Sequence, residues 1–129
     1  MKKYLVVFCI CLSVIISGCN KETRNYDDKK EYVSATISSD EAKSKVEDGA
    51  ILIDVRTLDE YNNNHIDKAV LLPVDEISLE SISKITEDKK TDLIVYCASG
   101  NRSARAVEIL NKLGYTNVYD LGSINNWLD

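Results

Sequence analysis

The run Ile94-Val95-Tyr96-Cys97-Ala98-Ser99-Gly100-Asn101-Arg102-Ser103-Ala104-Arg105 passes from apolar residues, through small and polar ones, into a segment with helical spacing. It reads as strand, loop and helix, with one cysteine at the junction. Backbone N–H groups at a helix start have no intrahelical acceptors, and the helix dipole adds partial positive charge there, so a thiolate at Cys97 is stabilised. A free thiol has a pKa of ~8.5, and such surroundings bring it toward ~7 or below, making the sulfur a nucleophile at neutral pH. A buried, inert cysteine at a strand end is the competing reading.

Outward from this junction the chain alternates strands with helices. Leu93-Ile94-Val95-Tyr96 and Ala50-Ile51-Leu52-Ile53-Asp54-Val55 are near-continuous apolar runs, the pattern of strands buried on both faces in a parallel sheet. Thr36-Ile37 ends a first strand. Ser38 or Ser39 then caps a helix carrying Ala42 and Val46 and stopping at Gly49. Thr57 to Asn64 is a short helix, Ala69 to Leu72 a third strand, and residues 75 to 85 carry Ile77, Ile82 and Ile85 at loose helical spacing. Arg102 to Leu113 places Ala106, Val107, Leu110 and Leu113 on one face, with Gly114 as the left-handed cap. Asn117-Val118-Tyr119 is a last strand, and Ile124 to Leu128 a helical turn that brings Trp127 back to the body. The expected class is α/β: a small parallel sheet of about five strands with helices on both faces and sites at the carboxyl ends of the strands. Asp54 and Cys97 both lie at such ends.

The amino-terminal part reads differently. Met1-Lys2-Lys3, an apolar stretch from Tyr4 to Ile16 broken only by Ser13, and then Ser17-Gly18-Cys19 follow the order of a secretory signal, too short for a comfortable membrane span. Ile16-Ser17-Gly18-Cys19 resembles the bacterial lipoprotein lipobox, with Ile16 where leucine is usual. That resemblance implies a signal over 1–18, an acylated Cys19 as first mature residue, and attachment to the bacterial cell envelope with the domain on the extracytoplasmic side. The polar, charged stretch over 19–34 reads as a lipidated cysteine and flexible tether, leaving 35–129 as one domain.

This organisation makes the cysteine count informative. Of the four cysteines, Cys9 and Cys11 fall in the signal and Cys19 takes the lipid, so Cys97 is the one free thiol expected in the mature protein. An exported protein with a single cysteine presents a reactive thiol or an intermolecular partner, and a redox role suffers from the lack of a resolving cysteine. Formal net charge is −5 for the whole chain. Without the signal, 14 basic and 21 acidic side chains remain, a balance of −7. Nucleic acid is therefore not an expected partner, and electrostatic docking on an anionic membrane is disfavoured.

Several separate segments together resemble the single-domain rhodanese family. Asp54-Val55-Arg56-Thr57, Glu60-Tyr61, His65-Ile66, Ala69 and Pro73 are similar to the family's first signature; Cys97 through Arg102-Ser103 resembles its active loop; Leu121-Gly122 with Trp127 resembles its closing motif. Asn64, Lys68 and Ser123 stand where the family commonly has glycine, which puts positive-φ turns in question. The resemblance implies a rhodanese-like fold and a sulfurtransferase, in which Cys97 takes sulfane sulfur from a donor, holds it as a persulfide, and passes it to a thiol or cyanide. The cradle would be Ala98, Ser99, Gly100, Asn101, Arg102 and Ser103, with Arg102 attracting an anionic donor such as thiosulfate. A non-catalytic persulfide carrier, sensor or docking module is the alternative. Protein tyrosine phosphatases resemble this strand, loop and helix too, but have one residue more between Cys and Arg than the four found here, and a histidine where this chain has Tyr96.

Asp54 and Arg56 are expected as supporting residues, Asp54 accepting backbone or arginine hydrogen bonds, and Arg56 pairing with Glu60 if the helix starts early. His65 lacks the company of metal ligands and reads as a packing or hydrogen-bonding residue. No motif indicates a metal, nucleotide or flavin, so no cofactor is expected. A monomer is expected.

Overall fold

The computed structural model describes residues 33–128. The signal, the lipobox with Cys19, and most of the expected tether lie outside the described residues. The five strands β1 (Val33–Thr36), β2 (Ile51–Asp54), β3 (Val70–Leu71), β4 (Leu93–Cys97) and β5 (Asn117–Ser123) form one parallel sheet in the order β1-β5-β4-β2-β3. β1 thus starts at Val33, ahead of the expected domain start at 35. Four helices, α1 (Ser39–Glu47), α2 (Leu58–Asn63), α3 (Leu79–Ser83) and α4 (Asn101–Lys112), join them.

The central strand explains the layering. Every residue of β4 is buried, and side chains alternate between faces. Leu93, Val95 and Cys97 pack with Ala106, Val107 and Leu110 of α4 and Ile82 of α3. Ile94 and Tyr96 pack on the other face with Ala42 of α1, Ile66 and Ala69. A strand covered on both sides needs no polar face, which is why its sequence is a continuous apolar run.

Pairing register gathers the functional ends. Asp54 lies opposite Tyr96, and Cys97 opposite Ser123. Between β4 and β5 the register shifts at Val95/Tyr96, which face Asp120 and Gly122, so Leu121 is the extra residue of a bulge. Asp120 supports it by accepting a hydrogen bond from the Gly122 N–H through Oδ1, at 2.8 Å. The bulge carries β5 through to Ser123, where the sequence suggested an end at Tyr119.

Two further expectations change. The loose helical spacing over residues 75 to 85 resolves into a 3-10 turn over Val74–Glu76 followed by α3, because Ser78 breaks the run. Its hydroxyl accepts from the Ser81 N–H at 3.1 Å while Ser81 Oγ accepts from the Ser78 N–H at 2.9 Å, a reciprocal cap that starts a new helix. α4 begins at Asn101, one position before the expected Arg102, because Gly100 turns into the cap. Its other end is as expected: Gly114 has φ +97°, and the Tyr115 N–H reaches the Leu110 carbonyl at 3.1 Å.

Candidate active site around Cys97

Cys97 ends β4 on the face covered by α4, and it is fully buried. The chain must then turn sharply to enter α4. Gly100 makes that turn at φ +99°, a backbone conformation L side chains rarely adopt. A Cβ there would meet only the Gly122 Cα at 3.7 Å, so glycine is required by the dihedral rather than by lack of space.

The turn wraps N–H groups around the sulfur. Gly100 N donates to Cys97 Sγ at 3.0 Å and Ser103 N at 3.4 Å. Burial alone would push the thiol pKa up; the Ser103 N–H and hydroxyl, with the N–H groups of Gly100 and Ser99, outweigh it and leave the thiol below its ordinary value. Ser103 is buried, and its hydroxyl donates to the Gly100 carbonyl at 2.9 Å, closing the loop. From the neighbouring strand, Ser123 Oγ donates to the Ala98 carbonyl at 2.7 Å and accepts from Asn125 N at 3.2 Å. Ala98, Ser99 and Asn101 are exposed around the mouth.

Arg102 lies in the first turn of α4, about a third exposed. Its guanidinium is held by Glu60 of α2 in a bidentate pair, Nη1 to Oε2 at 2.7 Å and Nη2 to Oε1 at 2.8 Å. Glu60 also caps α2: Oε2 accepts from Thr57 N at 2.9 Å and from Thr57 Oγ1 at 3.0 Å. Arg102, then Thr57, bring the Glu60 carboxyl down to about 2.

The expected pairing of Arg56 with Glu60 is therefore replaced. Arg56 turns to Asp54 instead, with Nη2 to Oδ2 at 2.7 Å and its backbone N to Oδ1 at 2.9 Å, both residues buried. α2 starts only at Leu58, so Arg56 lies outside the helix and never comes one turn from Glu60. Asp54 fills its remaining capacity by accepting from Tyr96 Oη at 2.8 Å, and that hydroxyl in turn accepts from Ile66 N at 3.1 Å. The network joins β2, β4 and the segment before β3 on the side of the sheet away from the sulfur. Burial, above all, raises the Tyr96 pKa, so its hydroxyl stays protonated and donating. Nothing in the local sequence marks the Tyr96 hydroxyl as part of this network, since its partners lie far off in the chain.

His65 is exposed and stacks on Tyr61, ring centroids 3.8 Å apart, with Nδ1 2.8 Å from the Tyr61 carbonyl oxygen. Trp127 is half-buried and packs against the second core cluster. Of the three departures from glycine, only Lys68 takes a positive φ, at +67°; Asn64 is extended at −165° and Ser123 lies at −77°. Among the described residues no group of three His, Cys, Asp or Glu side chains converges as metal ligands would.

A family model described as rhodanese-like domain matches residues 38–129. Thiosulfate sulfurtransferase PspE of Escherichia coli strain K12 is 36% identical over 74 residues, spanning 57% of this chain and 70% of that protein. Thiosulfate sulfurtransferase GlpE of Pseudomonas savastanoi is 35% identical over 92 residues, spanning 70% of this chain and 84% of that one. In structure, the human single-domain sulfurtransferase TSTD1 superposes with a TM-score of 0.63 at 26% identity, over 72% of this chain and 94% of the other.

Proposed function

The chain belongs to the rhodanese-like domain family and is a rhodanese-type sulfurtransferase, and from that premise we propose that Cys97 relays sulfane sulfur from a donor such as thiosulfate to a thiol or cyanide. The observation that carries this reading is the sulfur of Cys97 at the strand end, met by the N–H groups of Gly100 and Ser103. Those donors lower the cost of thiolate on a buried sulfur.

In the first half-reaction the Cys97 thiolate attacks the outer sulfur of thiosulfate. A sulfur–sulfur bond forms to Cys97, the bond to the sulfonate sulfur breaks, and sulfite leaves with the electron pair. In the second, the acceptor thiolate or cyanide attacks the outer sulfur of the persulfide and the Cys97 thiolate departs. The N–H groups of Asn101 and Arg102, in the first turn of α4 where no helix carbonyl reaches, are suited to the added sulfur. Ser123, through the Ala98 carbonyl, holds the peptide that carries the Ser99 N–H. Trapping is direct: thiosulfate-treated protein should gain one sulfur by mass, and transfer to cyanide should vanish in Cys97→Ser. Unchanged activity in that variant would sink the reading. A persulfide that forms but is released to no thiol would favour the carrier alternative.

Attachment to the envelope is part of the same proposal, supported by the signal pattern and by Cys19 in its lipobox-like setting. Lipid on Cys19 would hold the domain on the extracytoplasmic side. Metabolic labelling with an acyl probe, lost in Cys19→Ala while the domain still folds, is the expected outcome.

A further inference from the structure

The ion pair at the mouth bears on which donor the site takes. Arg102 lies in the first turn of α4, next to Ser103, whose N–H meets the Cys97 sulfur, yet it does not stand free to meet an anion. Both terminal nitrogens point into the Glu60 carboxylate. Glu60 cannot easily step aside, because the Thr57 N–H and hydroxyl hold the same carboxylate. Nor does another arginine supply the missing charge. Among the described residues each arginine is paired: Arg56 with Asp54, Arg102 with Glu60 and Arg105 with Asp75. A doubly charged donor therefore meets an arginine whose charge is already paired, and leans more on the backbone N–H groups of the loop.

We propose that Glu60 sets the donor preference of the Cys97 site: by holding Arg102 in a closed pair, it favours singly charged sulfane-sulfur donors of the organic thiosulfonate class over doubly charged thiosulfate. The inference rests on the sulfurtransferase reading above and concerns only the choice of donor. The chemistry is the same for both. Cys97 thiolate bonds to the outer sulfur, the bond to the oxidised sulfur breaks, and sulfite leaves from thiosulfate or a sulfinate from the thiosulfonate, each with the electron pair.

Charge at the mouth can be stepped with near-isosteric changes. Arg102→Gln leaves the Glu60 carboxylate unneutralised, the natural chain is balanced, and Glu60→Gln frees Arg102 while its amide oxygen can still accept from Thr57 N. The measurement is kcat/KM for persulfide formation with thiosulfate divided by that with benzenethiosulfonate, at low salt. Both donors share one active fraction, so partial misfolding of a variant cancels in the ratio. The ratio should rise in the order Arg102→Gln, natural chain, Glu60→Gln, by about two- to fivefold per step, and the spread should narrow in high salt. A ratio equal in all three, or the reverse order, would overturn the proposal while leaving the sulfurtransferase reading intact. Failure of the natural chain to form a persulfide with either donor would bring down that reading, and the donor preference with it.

Discussion

At the scale of single residues, the site depends on a backbone dihedral as much as on a side chain. Cys97 sulfur is stabilised by N–H groups that point inward only because Gly100 holds φ +99°. Alanine at Gly100 has room for its methyl group but not an easy dihedral, at a cost of about 1–2 kcal/mol. The loop should relax toward negative φ and turn the residue-100 N–H off the sulfur. Gly100→Ala is therefore expected to shift the pH profile of Cys97 alkylation by iodoacetamide upward by about half a unit or more, and an unchanged profile would count against the cradle as the cause of the low thiol pKa. The loop was largely legible in the sequence, because a glycine between a strand end and a helix start is a local signal. The state of Arg102 was not. Its partner Glu60 lies 42 positions away, and nothing near either residue announces the other.

At the scale of elements, the connections show where local rules were strained. The turn into β3 runs through Lys68 at φ +67°, where glycine would be the relaxed choice. Lys68→Gly is expected to raise stability by about 0.5–1 kcal/mol, the relief of left-handed strain being offset in part by the greater freedom of glycine in the unfolded chain. Urea unfolding would register this as a higher midpoint at constant slope; a lower midpoint would mean that the lysine side chain contributes more than the strain costs. Helices α1, α2 and α4 were readable because caps and apolar spacing are encoded within one or two turns. The region over 74–83 was not, since its apolar spacing runs across Ser78, and only the reciprocal Ser78–Ser81 cap splits it. The length of β5 was hidden as well, because a bulge is a property of two strands paired and not of one.

At the scale of the whole molecule, charge ties stability to pH. The Glu60 carboxyl, depressed to about 2 chiefly by Arg102, binds its proton far more weakly in the folded protein than in the unfolded chain. A depressed acid contributes stability that is complete above its unfolded pKa of ~4.3 and is lost as pH falls toward the folded value. With both partners about a third exposed, solvent screening reduces the contribution to about 1 kcal/mol. The stability difference between the natural chain and Glu60→Gln should therefore shrink between about pH 4.5 and pH 2, as read by urea unfolding at fixed salt. A difference that stays constant across that window would show that the pair does not link α2 to α4 energetically.

The sequence by itself determined the α/β class, the strand, loop and helix at Cys97, and the order of the elements, because burial pattern, capping and glycine placement act over a few residues. Only the tertiary structure decided how the charges are shared. Asp54 takes Tyr96, Glu60 takes Arg102, and Ser123 reaches Ala98. These pairings join the carboxyl end of one strand to its neighbour, or one helix to another, across a sheet whose register includes a bulge. An ion pair is decided by proximity in space, and proximity between distant segments is what folding creates.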